Sequence, residues 1–125
     1  MNVLLDTHAL LWWLDDNSIM SGKARKAISN PDNLVFVSAA SVWEIRIKEA
    51  LGKITIPKNF QAVLEEQPFE MLAITVDHAH ALGMLPMIHR DPFDRMLIAQ
   101  ARIEKLTIIT HDGLFKKYHI PVIKA

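Results

Sequence analysis

Short apolar runs alternate with helical segments along the 125-residue sequence, and this alternation constrains the fold more than any other feature. Val3–Leu5 and Ile108–Ile109 are apolar at consecutive positions, which is typical of strands covered on both faces. The predicted strands lie at 2–5, 34–37, 71–74, 106–110 and 120–123, and the predicted helices at about 8–14, 21–30, 41–51, 59–66, 75–83, 92–105 and 113–117. Strands alternating with helices predict a parallel sheet covered by helices on both sides.

The composition indicates one folded domain that spans residues 1–125. Half of the residues are hydrophobic, which argues against disorder. The chain has no cysteine, so disulfides, thiolate zinc sites and cysteine nucleophiles are excluded. The first apolar run is interrupted too early for a signal peptide, and no stretch approaches the length of a membrane span. These features predict a cytoplasmic protein with no membrane association.

The charges are balanced, with 14 lysines and arginines against 14 aspartates and glutamates. A globally basic surface for nucleic acid is therefore absent, although a small acidic pocket with cations at its rim remains compatible with this balance. The four glycines are scattered along the chain, so no glycine-rich phosphate loop is present.

Four acidic residues lie where the strand ends and helix starts of such a sheet would meet: Asp6, Glu44, Asp94 and Asp112. Asp6 and Asp112 follow apolar strands, and the carboxyl ends of parallel strands form the crevice in which open α/β sheets bind ligands. Glu44 and Asp94 lie in or near the first turns of helices that are predicted to start at the same edge. We therefore expect the four side chains to converge.

Each acid taken alone has a simpler explanation. Asp6 can cap the helix that follows it, and Asp94 can answer a helix dipole in a first turn. Glu44 can be the capping-box partner of Ser41. Asp112 can start a turn. The shared location of the four favours a joint role.

A cluster of this kind requires a counter-charge. Two carboxylates about 4 Å apart repel by roughly 4 kcal/mol at an effective dielectric near 20. Three or four together would take up a proton or hold a divalent cation, and oxygen ligands suit Mg²⁺ or Mn²⁺. Such a metal makes bound water easier to deprotonate and neutralises charge on phosphoryl oxygens, a combination that describes phosphodiester hydrolysis.

Four segments together resemble PIN-domain ribonucleases, and more narrowly the VapC-type toxins of bacterial type II toxin–antitoxin pairs. They are Leu4-Leu5-Asp6-Thr7, Ser41-Val42-Trp43-Glu44-Ile45, residues 91–101 (Asp91-Pro92-Phe93-Asp94-Arg95 and onward) and residues 109–115 (Ile109-Thr110-His111-Asp112-Gly113 and onward). The resemblance runs over nearly the whole chain. Each segment is weak alone, and their order and spacing make the joint signal specific.

The resemblance implies a three-layer α/β/α sandwich with a mostly parallel central sheet. It also implies Mg²⁺- or Mn²⁺-dependent endoribonuclease activity on an RNA substrate, a homodimer, and inhibition by an antitoxin protein. Asp6, Glu44, Asp94 and Asp112 would be both the catalytic and the metal-binding residues. Asp94 matches the third acidic position better than Asp91, which is expected to face solvent or to support the site indirectly.

Several neighbouring residues have two open interpretations. The hydroxyls of Thr7 and Thr110 either orient carboxylates or cap local structure. Arg95 is expected to form an ion pair at the pocket rim. Among the histidines, only His111 is a candidate for contact with substrate, and a histidine metal site is not expected. The tryptophans are expected in the core or in a dimer interface.

Two other functional classes remain as alternatives. Aspartyl-phosphate phosphatases also begin with an acid at a strand end, but they need a second acid two residues later, where this chain has His8. Receiver-like binding modules cluster acids at strand ends too, but they need an acceptor aspartate after a mid-chain strand, where this chain has Ser38-Ala39-Ala40.

Overall fold

The computed structural model describes residues 1–125 and has an α/β architecture around one sheet of five parallel strands. The strands are β1 (Asn2–Leu5), β2 (Leu34–Ser38), β3 (Glu70–Leu72), β4 (Thr107–Thr110) and β5 (Val122–Lys124). The α-helices are α1 (Thr7–Leu14), α2 (Gly22–Ser29), α3 (Ala39–Ala50), α4 (Phe60–Glu65), α5 (Val76–Ala81) and α6 (Pro92–Glu104). Two 3₁₀ helices span Leu82–Met84 and Gly113–Tyr118. The predicted alternation and parallel sheet are confirmed.

The strand order is β3-β2-β1-β4-β5, so β1 lies at the centre of the sheet. It pairs with β2 in the register Val3↔Val35 and with β4 in the register Leu5↔Ile109. All carboxyl ends therefore lie at one edge, and the strand order reverses between β1 and β4. Open α/β sheets bind ligands at this switch point, and Asp6 and Asp112 follow these two strands.

Helices cover both faces of the sheet, so successive residues of β1 enter different halves of the core. Val3 and Leu5 pack in one apolar cluster with α1, α2 and α4, whereas Leu4 packs in the other with α6 and the second 3₁₀ helix. All three of these residues are completely buried. This two-sided burial explains why the strand is apolar at consecutive positions.

Helix α3, which carries Glu44, starts earlier than the capping-box pattern suggests. Its N-cap is Ser38, whose side chain accepts a hydrogen bond from the Ala40 N–H. Ser41 and Glu44 lie just inside the helix, one of the two placements predicted for them, and they are buried and form no capping box. The helix ends as expected, because Gly52 adopts a φ of 71° at the position that follows the C-cap.

The two edge strands differ slightly from their predicted ranges. β3 ends at Leu72 rather than at residue 74, and β5 begins at Val122 because Pro121 has no N–H to donate. No helix combines the length and the hydropathy that a membrane-spanning segment needs.

Candidate active site

Asp6 is buried at the junction of β1 and α1, and both of its oxygens have partners. Oδ1 accepts a hydrogen bond from the Ala9 N–H at 2.8 Å, which makes Asp6 the N-cap of α1. Oδ2 accepts one from the Thr110 hydroxyl at 2.5 Å. The capping interpretation is therefore correct, and it is compatible with a site role because the same side chain lines a pocket with the other three acids.

Asp112 lies across the switch point, at the start of the second 3₁₀ helix. Its N–H donates to the Thr110 Oγ1 at 3.0 Å, so one hydroxyl links the acids that follow β1 and β4. Its Oδ1 accepts a hydrogen bond from the Leu114 N–H at 2.9 Å, and its Oδ2 lies 2.7 Å from His89 Nε2. Thr110 thus orients a carboxylate, one of the two roles expected for it.

Glu44 projects from α3 toward the same pocket and is held on both sides. The Thr7 hydroxyl donates to Oε1 at 2.6 Å, and Lys48 Nζ lies 2.8 Å from Oε2. Lys48 is one helical turn after Glu44, the favourable orientation for such a pair. Thr7 therefore also orients a carboxylate.

Asp94 lies in the first turn of α6, and its half-buried carboxylate accepts no hydrogen bond from the protein. The cap of α6 is Asp91, whose Oδ1 accepts hydrogen bonds from the N–H groups of Phe93 and Asp94. Asp91 is exposed and also lines the pocket. This placement agrees with the expectation that Asp94 lies deeper in the site than Asp91.

The structure brings all four predicted acids to one pocket of about 380 Å³ that has no hydrophobic lining residue. The lining residues are Asp6, Thr7, His8, Glu44, Lys48, Asp91, Asp94, His111 and Asp112. The N-termini of α1 and α6 point to the same edge and contribute partial positive charge.

Three of the four acids have pKa values that differ from those of free carboxyl groups. Burial, and secondarily the negative charge of Asp91, raises the pKa of Asp94 to about 7. Burial also raises the pKa of Asp6, and the charge of Glu44 acts in the same direction. At Asp112, burial acts to raise the pKa, but the hydrogen bonds from His89 and from the Leu114 N–H hold it below its ordinary value.

These properties fit a hard divalent cation. The donors are carboxylate oxygens, as Mg²⁺ and Mn²⁺ prefer, and the Asp94 carboxylate has no competing donor. A carboxyl that would otherwise hold a proton near neutral pH is the group that gains most from a nearby positive charge. Carboxylate oxygens of Asp94 and Asp112 lie within 4.8 Å of one another, whereas Asp6 and Glu44 line the same pocket without lying that close to both.

A model of the PIN domain family matches residues 3–120 of the sequence. The protein belongs to the PIN-domain family. PIN domains are generally nucleases that use a divalent metal, and the acidic pocket of this PIN domain has the chemistry that such an ion requires. A search of curated protein sequences found no match.

Solved structures with the same fold come from bacterial toxin–antitoxin complexes. This PIN domain is similar to a chain of VapBC2 from Rickettsia felis bound to a promoter DNA fragment (14% identity, 98% of each chain covered, TM-score 0.76). It is also similar to a chain of DNA-bound VapBC from Salmonella typhimurium (18% identity, 98% and 97% covered, TM-score 0.72). A third similar chain is from FitAcB of Neisseria gonorrhoeae (20% identity, 98% and 96% covered, TM-score 0.67). At these identities the likeness shows the fold.

One expectation about residues near the pocket is wrong, and another is narrowed to one of its two alternatives. Arg95 forms no ion pair at the rim, because its guanidinium donates to the backbone carbonyls of Pro86 and Leu82. Trp43 is not in the core, because its side chain is 59% exposed and contacts the edge of the Phe93 ring, and its place in a dimer interface stays a prediction. His111 does line the pocket of the PIN domain, as expected.

Sequence reasoning missed His89. A ring nitrogen of His89 and carboxylate oxygens of Asp94 and Asp112 all lie within 4.8 Å of one another. The only sequence signal is the position of His89 two residues before the Asp91-Pro92 turn. Its role depends on burial and on long-range contacts that no local pattern encodes.

We expect Thr7→Val to lower the free energy of unfolding by about 1–3 kcal/mol, because the buried Glu44 carboxylate loses its hydroxyl donor. Thr7→Ser retains the donor and serves as the matched variant. Urea unfolding of both proteins measures the difference. Equal stability of the valine and serine variants would show that this hydrogen bond does not hold Glu44.

Proposed function

We propose that this PIN domain is a Mg²⁺- or Mn²⁺-dependent endoribonuclease that hydrolyses RNA phosphodiester bonds, and that it is the toxin of a toxin–antitoxin pair. The observation that carries the proposal is the convergence of four carboxylates from two helices and two strand ends on one pocket without apolar lining. Membership of a family of metal-dependent nucleases supports this reading over a phosphatase or a receiver-like module.

In the proposed mechanism, Asp6, Asp94 and Asp112 would hold the cation, and Glu44 would complete the site directly or through water. The cation, when bound, supplies positive charge to phosphate oxygens and makes water a better nucleophile. Thr110 and the Ala9 N–H fix the Asp6 carboxylate, so its oxygens need no reorganisation when the ion arrives. Thr7 and Lys48 fix Glu44 in the same way.

The rim of the pocket offers hydrogen-bond donors to the RNA backbone. Lys48 is about one-third exposed, and the exposed side chains of His8 and His111 line the same opening. We propose that these groups contact phosphates next to the cleaved bond. Phosphate contacts position a nucleic acid without reading its sequence, so the choice of RNA depends on other surfaces.

The test is cleavage of a structured RNA by the purified full chain while Mg²⁺ or Mn²⁺ is titrated after treatment with a chelator. Cleavage that vanishes with the chelator and returns with the metal is expected. Cleavage that persists in chelator, or that never appears at millimolar metal over a panel of tRNA and rRNA fragments, contradicts the proposal.

The partner assignments depend on the comparisons. The similar chains come from VapBC and FitAcB structures, and a further similar structure is a toxin–antitoxin complex from Klebsiella pneumoniae. We propose that a separately encoded antitoxin inhibits this chain, that the chain is a homodimer, and that it acts in the cytoplasm. Co-expression with the protein from the adjacent reading frame, followed by light scattering of each species, tests both assemblies.

A further inference from the structure

His89 is a buried histidine enclosed by aromatic rings beside the acidic pocket. It precedes α6 and is 7% exposed. Its ring stacks on Tyr118 with centroids 5.4 Å apart and meets the edge of Phe115 at 5.0 Å. Tyr118 is the only tyrosine of the chain and is completely buried. A ring held in this way has little freedom to rotate.

The hydrogen bonds of Tyr118 determine which nitrogen of His89 carries the proton. The backbone N–H of His89 donates a hydrogen bond to the Tyr118 hydroxyl oxygen at 2.7 Å. The hydroxyl proton then has one acceptor within reach, His89 Nδ1 at 3.0 Å. A neutral imidazole that accepts at Nδ1 carries its proton on Nε2. Nε2 therefore donates to the Asp112 Oδ2, 2.7 Å away.

The hydrogen bonds from Tyr118 to His89 and from His89 to Asp112 connect two parts of the site. His89 lies two residues before Asp91 in the segment that leads into α6, which carries Asp94, whereas Asp112 and Tyr118 bound the second 3₁₀ helix. The ligand atoms of His89, Asp94 and Asp112 lie within 4.8 Å of one another. The Tyr118–His89–Asp112 contacts thus fix the distance between the last two acids of the pocket.

We propose that His89 is a positioning residue that holds the Asp112 carboxylate toward Asp94 for cation binding, and that Tyr118 sets the tautomer that allows it. The proposal rests on the proposed nuclease function, because it concerns the same cation. Direct ligation of the cation by His89 is less consistent with the geometry, since Tyr118 occupies one ring nitrogen and Asp112 the other.

The test measures the affinity of the full chain for Mn²⁺ alone by electron paramagnetic resonance. His89→Ala removes the donor, and we expect its affinity to fall about 10-fold or more, as for other groups that orient metal ligands. His89→Gln keeps an N–H near the position of Nε2 and is expected to recover most of the loss. Tyr118→Phe keeps the aromatic ring but removes the hydroxyl that selects the tautomer of His89. We expect its Mn²⁺ affinity to lie between those of wild type and His89→Ala.

His78→Gln is the matched control, because His78 is another buried histidine, whose Nε2 lies 3.0 Å from a carboxylate oxygen of Glu104 on the far part of α6. It should change thermal stability without changing Mn²⁺ affinity. A His89→Ala protein that binds Mn²⁺ like wild type overturns the proposal, and so does a His89→Gln protein as weak as His89→Ala, the result expected for a direct ligand.

A spectroscopic measurement tests the tautomer independently of metal affinity. Long-range ¹H–¹⁵N spectra of the metal-free wild type should show His89 protonated at Nε2 and not at Nδ1. The opposite tautomer overturns the proposal even if a His89 variant fails to fold. If wild type binds Mn²⁺ and the His89 variants bind it equally well, only this inference is refuted. If wild type binds no Mn²⁺, the proposed function is refuted as well.

Discussion

Asp6→Asn is expected to lower the rate of RNA cleavage on the order of 10³-fold while leaving the fold intact. The substitution removes one negative charge from the centre of the pocket, where charge stabilisation of the reacting phosphate is largest. It keeps a side-chain oxygen for the Ala9 N–H, and asparagine is as good an N-cap as aspartate. The amide nitrogen then faces Thr110 Oγ1, which can accept a hydrogen bond.

The thermal stability of the Asp6→Asn protein separates this prediction from simple unfolding. A neutral amide avoids the cost of ionising a buried carboxyl, so the metal-free variant should melt at the wild-type temperature or above it at pH 8. Asp77→Asn, a change at an exposed acid in the first turn of α5, is the matched control and should cleave RNA normally. If the Asp6→Asn protein cleaved RNA at the wild-type rate, Asp6 would have no role in the active site.

Asp94→Asn is expected to lower cleavage on the order of 10²-fold and, at the same time, to change how stability depends on pH. Burial and the charge of Asp91 raise the pKa of Asp94 from 3.8 to about 7. Below pH 4 the carboxyl is protonated in both folded and unfolded chains and has no effect. Between pH 4 and 7 the folded chain binds the extra proton, so stability falls as pH rises through this window.

The asparagine variant has no carboxyl to titrate at this position, so its metal-free melting temperature should fall less between pH 4 and 8. Solvent reaches the half-buried Asp94 and screens its charge, so we expect a difference of about 1 kcal/mol, or about 4 °C, at pH 8. Differential scanning calorimetry in chelator measures it. Parallel pH profiles for wild type and variant would show that Asp94 is not crowded by the other acids.

The sequence was sufficient for the sheet and for the four acids because both depend on local rules. Consecutive apolar residues mark β1 and β4, and acids that follow parallel strands must share one edge. The start of α3 stayed open at the level of sequence because Ser38 and Ser41 are both good caps. The alanines at positions 39 and 40 favour helix and extend it back to Ser38.

Sequence patterns could not predict the residues that hold the acidic side chains in place. His89 contacts Tyr118, which is 29 positions away, and Asp112, which is 23 positions away. Helix and strand periodicities do not predict contacts between residues so far apart in sequence. Arg95 was misjudged for the same reason, since nothing local shows that backbone carbonyls are its partners. Charge and spacing predict which groups must converge, whereas packing decides which groups hold them.

Because β1 lies at the centre of the sheet, a newly made chain can complete its acidic pocket only after both neighbouring strands have formed. The hydroxyl that holds Asp6 comes from Thr110, 104 residues further along the chain. A nascent polypeptide that has emerged only as far as α6 already exposes Asp6, Glu44 and Asp94, but one side of β1 is unpaired and Asp112 has not yet emerged. The acidic pocket therefore stays incomplete until Thr110 and Asp112 take their places beside β1.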